Sequence, residues 1–173
     1  MSEQYIMVDE FGLIVSAVKA ALNLPVLNYQ YGYVTELNEN LQEMTKSPAH
    51  RDKRFPLVWL AQPFSVDHGD PSGYSILNGA ELFIIAESGI TERATERMAD
   101  NFKPVIYPIY REIFQQILAA PWCCEMDIDM LRHKETDRYY WGDQQQKAIT
   151  AVFDCKHIQF SSLKINNKSN CSF

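Results

Sequence analysis

The sequence predicts an α+β fold: one domain built on a mixed or mainly antiparallel sheet, with helices packed mainly on one face. Three observations predict it. Two apolar runs, residues 55–60 (Phe-Pro-Leu-Val-Trp-Leu) and 81–86 (Glu-Leu-Phe-Ile-Ile-Ala), have the length and the branched and aromatic content of buried strands. Residues 3–22 and 110–118 instead space their apolar side chains by three and four, as helices do. The order helix, strand, helix, strand, strand, helix, then strands lacks the regular alternation of a doubly wound parallel sheet. The chain has 173 residues, 46% hydrophobic and 22% charged, which suits one core and argues against disorder.

The first helix is expected over 3–22, burying a stripe of Ile6, Phe11, Ile14, Val15, Val18 and Leu22, with Asn23 and Pro25 ending it. Residues 29–34 read as a short strand. Thr35 is placed to cap a second helix that buries Leu37, Leu41 and Met44, and Ser47-Pro48 stops it. A basic loop follows, with Arg51, Lys53 and Arg54 against Asp52. Pro56 and Pro63 fence the strand after it, because proline lacks the ladder donor and sits at strand ends. Residues 65–79 are rich in turn formers and predict a long loop or a projecting hairpin. Residues 81–86 form a second buried strand beside the first.

Thr91 with Glu92 opens the next helical region, which gives way near Phe102 before helical spacing returns through Tyr110, Ile113, Phe114, Ile117 and Leu118. Pro108 must start or kink that helix, and Pro121 closes it. Residues 126–133 and 137–142 read as hairpin-like strands. Residues 148–165 form a long strand broken near Asp154, with Ile158, Phe160 and Ser162 on one side and Gln159, Ser161, Leu163 and Ile165 on the other. Residues 1–165 are expected to form the domain, and 166–173 a polar tail that a neighbouring subunit would order.

Composition narrows the function. A net charge of −6 disfavours a broad nucleic-acid grip. Residues 1–46 carry six acids against two lysines, and residues 145–173 carry four lysines against one acid, so the ends differ in sign. No apolar run approaches the length that spans a membrane, no signal peptide is expected, and the adjacent Cys123-Cys124 with Cys155 and Cys171 suits a reducing compartment. Cys155 and His157 would share a strand face, and His133 with Cys123-Cys124 could join them around a metal, but zinc-type ligand spacing is absent. Asp127 with Asp129, and Asp67 with Asp70, are read as turn or strand-edge residues, and Arg138-Tyr139-Tyr140-Trp141 as a core-facing strand. No phosphate loop or nucleophile elbow occurs. Each of these patterns is read as structural rather than as an active site.

Three segments carry a resemblance: residues 29–34 with the capped helix and Lys53-Arg54-Phe55-Pro56-Leu57-Val58-Trp59-Leu60; Phe102-Lys103-Pro104-Val105-Ile106-Tyr107-Pro108-Ile109-Tyr110 with its following helix; and residues 139–142 with the terminal segment 153–165. Their order and spacing resemble neck or tail-completion proteins (head–tail connector, tail-terminator-like) of tailed bacteriophages that infect Bacteroides-like hosts. The resemblance implies a small α+β subunit in a closed ring of copies, between portal or capsid and tail, with no enzyme activity and no cofactor. DNA would pass through the lumen without sequence-specific binding. Neighbouring portal, neck or tail proteins would be its partners, and the virion, after assembly in the host cytoplasm, its location. The residues expected at subunit or partner contacts are Arg51, Lys53, Arg54, Asp67, His68, Asp70, Tyr74, Lys164 and Lys168. A small enzyme with a metal-assisted site and a protein-binding adaptor are the alternative readings.

Overall fold

The structure, a computed structural model, describes residues 6–46, 54–68, 74–89, 91–123, 131–138 and 152–166. It is an α+β fold on a seven-stranded mixed sheet. Helix α1 (Met7–Ala21) buries Met7, Phe11, Ile14, Val15 and Val18. Ile6 departs from the expected stripe: it caps the helix in an extended conformation, so helical periodicity does not reach it, and it is 64% exposed. The helix ends in a Schellman turn, where Leu24 N–H donates to the Lys19 carbonyl and Asn23 takes the left-handed conformation at φ 51°.

Strand β1 (Asn28–Tyr33) runs straight into helix α2 (Val34–Lys46), which buries Leu37 and Leu41. Thr35 is not the cap. The Glu36 carboxylate reaches back to accept the Tyr33 N–H at 2.8 Å, the N3-to-cap half of a capping box, and Thr35 lies inside the first turn. The Met44 side chain falls outside the described atoms.

Strand β2 (Leu57–Gln62) pairs in parallel with β1 and antiparallel with β5 (Glu81–Ser88). Between them in sequence, β3 (Ser65–Asp67) and β4 (Tyr74–Asn78) form a hairpin. This hairpin does not project. It continues the β2–β5 ladder past bends at Pro63-Phe64 and Gly79-Ala80, and β4 lies along β7 (Val152–Asn166). Residues 69–73 at its tip are outside the described residues. Strand β6 (Leu131–Arg138) pairs with the other side of β7. It is one uninterrupted strand where two were expected, since each residue from Leu131 to Arg138 meets a partner on β7 except at one register shift.

Strand β7 is likewise unbroken at Asp154, which pairs with Ala86 and whose charge is met by helical residues. The simple alternation expected along it fails. Ile158, Phe160, Leu163 and Ile165 all belong to one core cluster, because Ser161 is an extra residue opposite the shift between Arg132 and His133. A β-bulge of this kind reverses the inward phase. Gly79, in the left-handed region at φ 73°, makes the matching bend on the neighbouring strand.

The helical region is continuous where a break near Phe102 was expected. Helix α3 (Ala94–Arg97), capped at Arg93 and not Thr91, passes into a π-helical stretch (Met98–Ile106) and then α4 (Tyr107–Ala119). Pro104 lies within the π stretch, where Tyr107 N–H donates to the Phe102 carbonyl five residues back. That wider turn accommodates a residue with no N–H and a ring that would collide with the preceding α-turn. Pro108 sits in the first turn of α4, as its chemistry requires. Helices α1 and α4 and the π stretch cover one face of the sheet over the larger core, and α2 covers the other with Leu57, Trp59, Phe83, Ile85, Phe153 and Cys155.

Candidate functional site

Two charged residues of β7, Asp154 and Lys156, point into the helix-covered face, where an apolar strand would carry neither. Asp154 is fully buried. Asn101 on the π stretch donates to it at 2.7 Å, and Arg97 lies at 3.4 Å. Arg97 is itself fixed by its Nε–H to the Glu92 carbonyl, and Asn101 also reaches the Glu87 carbonyl. Burial pushes the Asp154 carboxyl up, against the pull of hydrogen bonds from Asn101 and Ser88 and of the Arg97 charge.

Lys156 lies two residues further along the same face. Its Nζ is 2.9 Å from Glu135 and 3.1 Å from Asp137 on β6, and it stands over the rings of Tyr110 at 4.6 Å and Tyr107 at 5.2 Å. The Tyr107 hydroxyl donates to Asp137 at 2.7 Å, the Tyr110 hydroxyl donates to Glu135, and His133 Nε2 is 3.0 Å from Glu135. Burial alone would raise the Glu135 carboxyl. The hydrogen bonds from Tyr110, Lys156 and His133 and the Lys156 charge outweigh it and hold the group down at about 2. Burial and the bond to Glu135 push the Tyr110 hydroxyl up. The result is a closed circuit of ion pairs and hydrogen bonds that fastens α4 to β6 and β7.

The opposite face carries Cys155 and His157, together as their spacing predicts. Cys155 is buried in the smaller core, and that burial pushes its thiol up. His157 stacks on Phe83 at 4.2 Å, with Nε2 2.6 Å from Glu81 and Nδ1 3.4 Å from the Arg138 guanidinium. Burial lowers its pKa against the pull of Glu81. His133 does not join this pair. It pairs with Phe160 across the ladder and packs on Phe114, on the helix-covered face. Among the described residues no group of three or more His, Cys, Asp and Glu side chains is placed to hold a metal ion.

The expected contact residues separate into two sets. Asp67 closes β3 and His68 follows it, Tyr74 opens β4 opposite Asn166, and Lys164 lies opposite Ile76, which itself faces Asp67. His68 Nδ1 is 2.7 Å from the buried Ser75 hydroxyl. Arg54 stands in the turn before β2, at the other end of the same bent strand. At about 3.3 Å per strand residue, roughly 40 Å of chain runs between Arg54 and Asp67. Arg51, Lys53, Asp70 and Lys168, and the carboxylates Asp127 and Asp129, lie outside the described residues.

One surface was not foreseen. A groove of about 440 Å³ lies between α1 and α4, lined by Glu10, Leu13 and Ala17 on one side and by Gln116, Pro121 and Trp122 on the other. Leu13 is 66% exposed, and Ile6, Glu10, Leu13 and Ala17 recur at four- and three-residue steps along α1, turned away from the core stripe. The buried Trp122 indole N–H has no hydrogen-bond acceptor among the described residues. Spacing of Leu13 against Ile6 was the signal available in the sequence.

The chain matches no family model, no curated protein and no solved structure. Its function is therefore argued from this geometry. Among the described residues no helix is long and apolar enough to cross a membrane.

Proposed function

We propose that this chain is a structural assembly subunit, of the kind that forms the neck or tail-terminator ring of a tailed bacteriophage. In this reading copies of it close into a ring, dock to neighbouring portal, neck or tail proteins, and leave a lumen for DNA. The ring has no catalytic task and works in the virion. The observation that supports the reading is the separation of the expected contact elements to opposite ends of one sheet, Arg54 at one and Asp67, His68, Tyr74 and Lys164 at the other. A ring is built by heterologous contacts, in which two different patches of each subunit meet. The α+β fold is also the one that the phage resemblance implies. The Asp154 and Lys156 networks support a structural role, since their charged groups are engaged with one another.

The test is native mass spectrometry of the purified full chain with negative-stain microscopy. The proposal expects one closed oligomer with a central opening. A monomer at every concentration contradicts it.

A further inference from the structure

Three strands meet at one imidazole. His157 on β7 lies opposite Phe83 on β5 and Thr136 on β6, and its ring reaches diagonally toward both neighbouring strands. Nε2 is 2.6 Å from the Glu81 carboxylate, and Nδ1 is 3.4 Å from the Arg138 guanidinium. A guanidinium has donors and no acceptor, so the nitrogen that faces Arg138 must present its lone pair. The other nitrogen carries the proton and donates to Glu81. These two partners therefore select the neutral Nε2–H tautomer, with a negative charge on one side of the ring and a positive charge on the other. Phe83 stacks on the imidazole at 4.2 Å with the planes 12° apart, which holds the ring in this orientation. The side chain is only 4% exposed.

A second proton can enter this ring only at Nδ1, where an N–H would then face the N–H groups of Arg138. The charged groups that act on the imidazole are Glu81 from β5 and Arg138 and Lys134 from β6. Cys155, two residues along the same face, keeps its proton because burial pushes the thiol up. Asp154 and Lys156 of the same strand point to the opposite face. Burial, Arg138 and Lys134 oppose the second proton, Glu81 favours it, and the opposition prevails. We infer that His157 is a proton-operated latch: neutral, it ties β5 to β6 through Glu81 and Arg138, and protonated, it lets go of Arg138 and loosens the C-terminal end of β6. That end is held on both faces of the sheet. Asp137 is fastened to Lys156 and Tyr107 on the helix-covered face, and Arg138 to His157 on the other. Among these groups only an imidazole ordinarily changes charge between pH 5 and 8. His133, near the other end of β6, faces Glu135, where protonation makes an ion pair, so acid does not loosen that end. The latch acts within one chain and stands independently of the ring reading.

The experiment uses the full chain labelled with 15N-histidine, with the His157 signal assigned through its contact with the Phe83 ring. Nitrogen chemical shifts at pH 7.5 read the tautomer, and a titration reads the midpoint. The expected state is Nε2–H, with a midpoint below the ordinary imidazole value near 6.5. Arg138→Met should raise that midpoint, because it removes the charge facing Nδ1, and Glu81→Gln should lower it. Hydrogen exchange of the β6 amides, corrected for the intrinsic effect of pH, reads the latch itself. At the Arg138 end exchange should be about tenfold faster at pH 5 than at pH 7.5, roughly the factor for one charge-assisted hydrogen bond. At the Leu131 end it should stay within about twofold. His157→Gln, whose amide can bridge the same two partners without titrating, should remove the difference at the Arg138 end. An Nδ1–H tautomer at pH 7.5 overturns the latch. So does a midpoint that Arg138→Met leaves in place, equal exchange at the two pH values, or acid loosening that survives in folded His157→Gln. Should that variant fail to fold by circular dichroism, the tautomer in the parent and the midpoint in Arg138→Met decide.

Discussion

Replacing Lys156 by methionine probes the charged circuit directly. Methionine keeps most of the buried stem and removes the ammonium. The Lys156 side chain is 6% exposed, while its partners Glu135 and Asp137 are 34% and 27% exposed. Solvent screening limits each ion pair to about 0.5–1 kcal/mol. The contacts with the Tyr110 and Tyr107 rings contribute about 0.5–1 kcal/mol each. Allowing for non-additivity, Lys156→Met should cost about 2–3 kcal/mol, or a fall in Tm of roughly 5–10 °C. Urea unfolding at pH 7 measures the loss. The cycle with Glu135→Gln should give a coupling energy of about 1 kcal/mol. A loss below about 0.5 kcal/mol, or single effects that simply add, would show that the circuit is a surface decoration and refute the reasoning.

Acid should weaken the same circuit. The Glu135 carboxyl titrates at about 2 in the fold, below its ordinary value near 4.3 when unfolded, so its stabilisation is complete above about pH 4.5 and is lost as pH falls toward 2. Glu135→Gln should flatten the stability profile across that window, measured by urea midpoints at stepped pH. Asp154 has the opposite sign: its raised carboxyl gains stability as pH falls through its native value toward the ordinary one. Arg97→Met therefore leaves a fully buried carboxylate without its counter-charge and should cost about 3 kcal/mol at pH 7, and less as pH falls. Gly32→Ala should cost about 1–3 kcal/mol. Its φ is 152°, and the new methyl would meet the Glu36 carboxylate and approach Trp59 to 3.0 Å. Gly79→Ala, at φ 73° with open space around it, should cost only about 1 kcal/mol by thermal melting.

The buried strands were legible because apolar runs fenced by proline or turn residues leave few alternatives. Val58 and Leu60 face the larger core and Leu57, Trp59 and Ala61 the smaller one, so the run at 57–61 is apolar on both sides. The α1 stripe was legible for the same reason, except at Ile6, whose extended backbone lies outside the helical period. The Ser161 bulge was not legible, since alternation along a strand cannot reveal which residue the partner strand leaves unpaired. The π stretch was read as a break near Phe102, since the wider turn that tolerates Pro104 leaves no compositional mark. The charged circuit depends on pairs distant in sequence: Arg97 with Asp154 across 57 positions, and Lys156 with Asp137 across 19. The sequence singled out Asp67, His68, Tyr74 and Lys164 without the register that gathers them, and it passed over Leu13, whose exposure depends on how α1 packs on the sheet.

The central claim is that the two ends of this sheet meet in a closed ring of copies. Native mass spectrometry of the full chain, over a dilution series from high to low protein concentration, tests it most directly. The account predicts one discrete ring-forming oligomer that persists over the upper part of the series and dissociates without a ladder of open intermediates. A single mass of one chain, 20.0 kDa, at every concentration contradicts it.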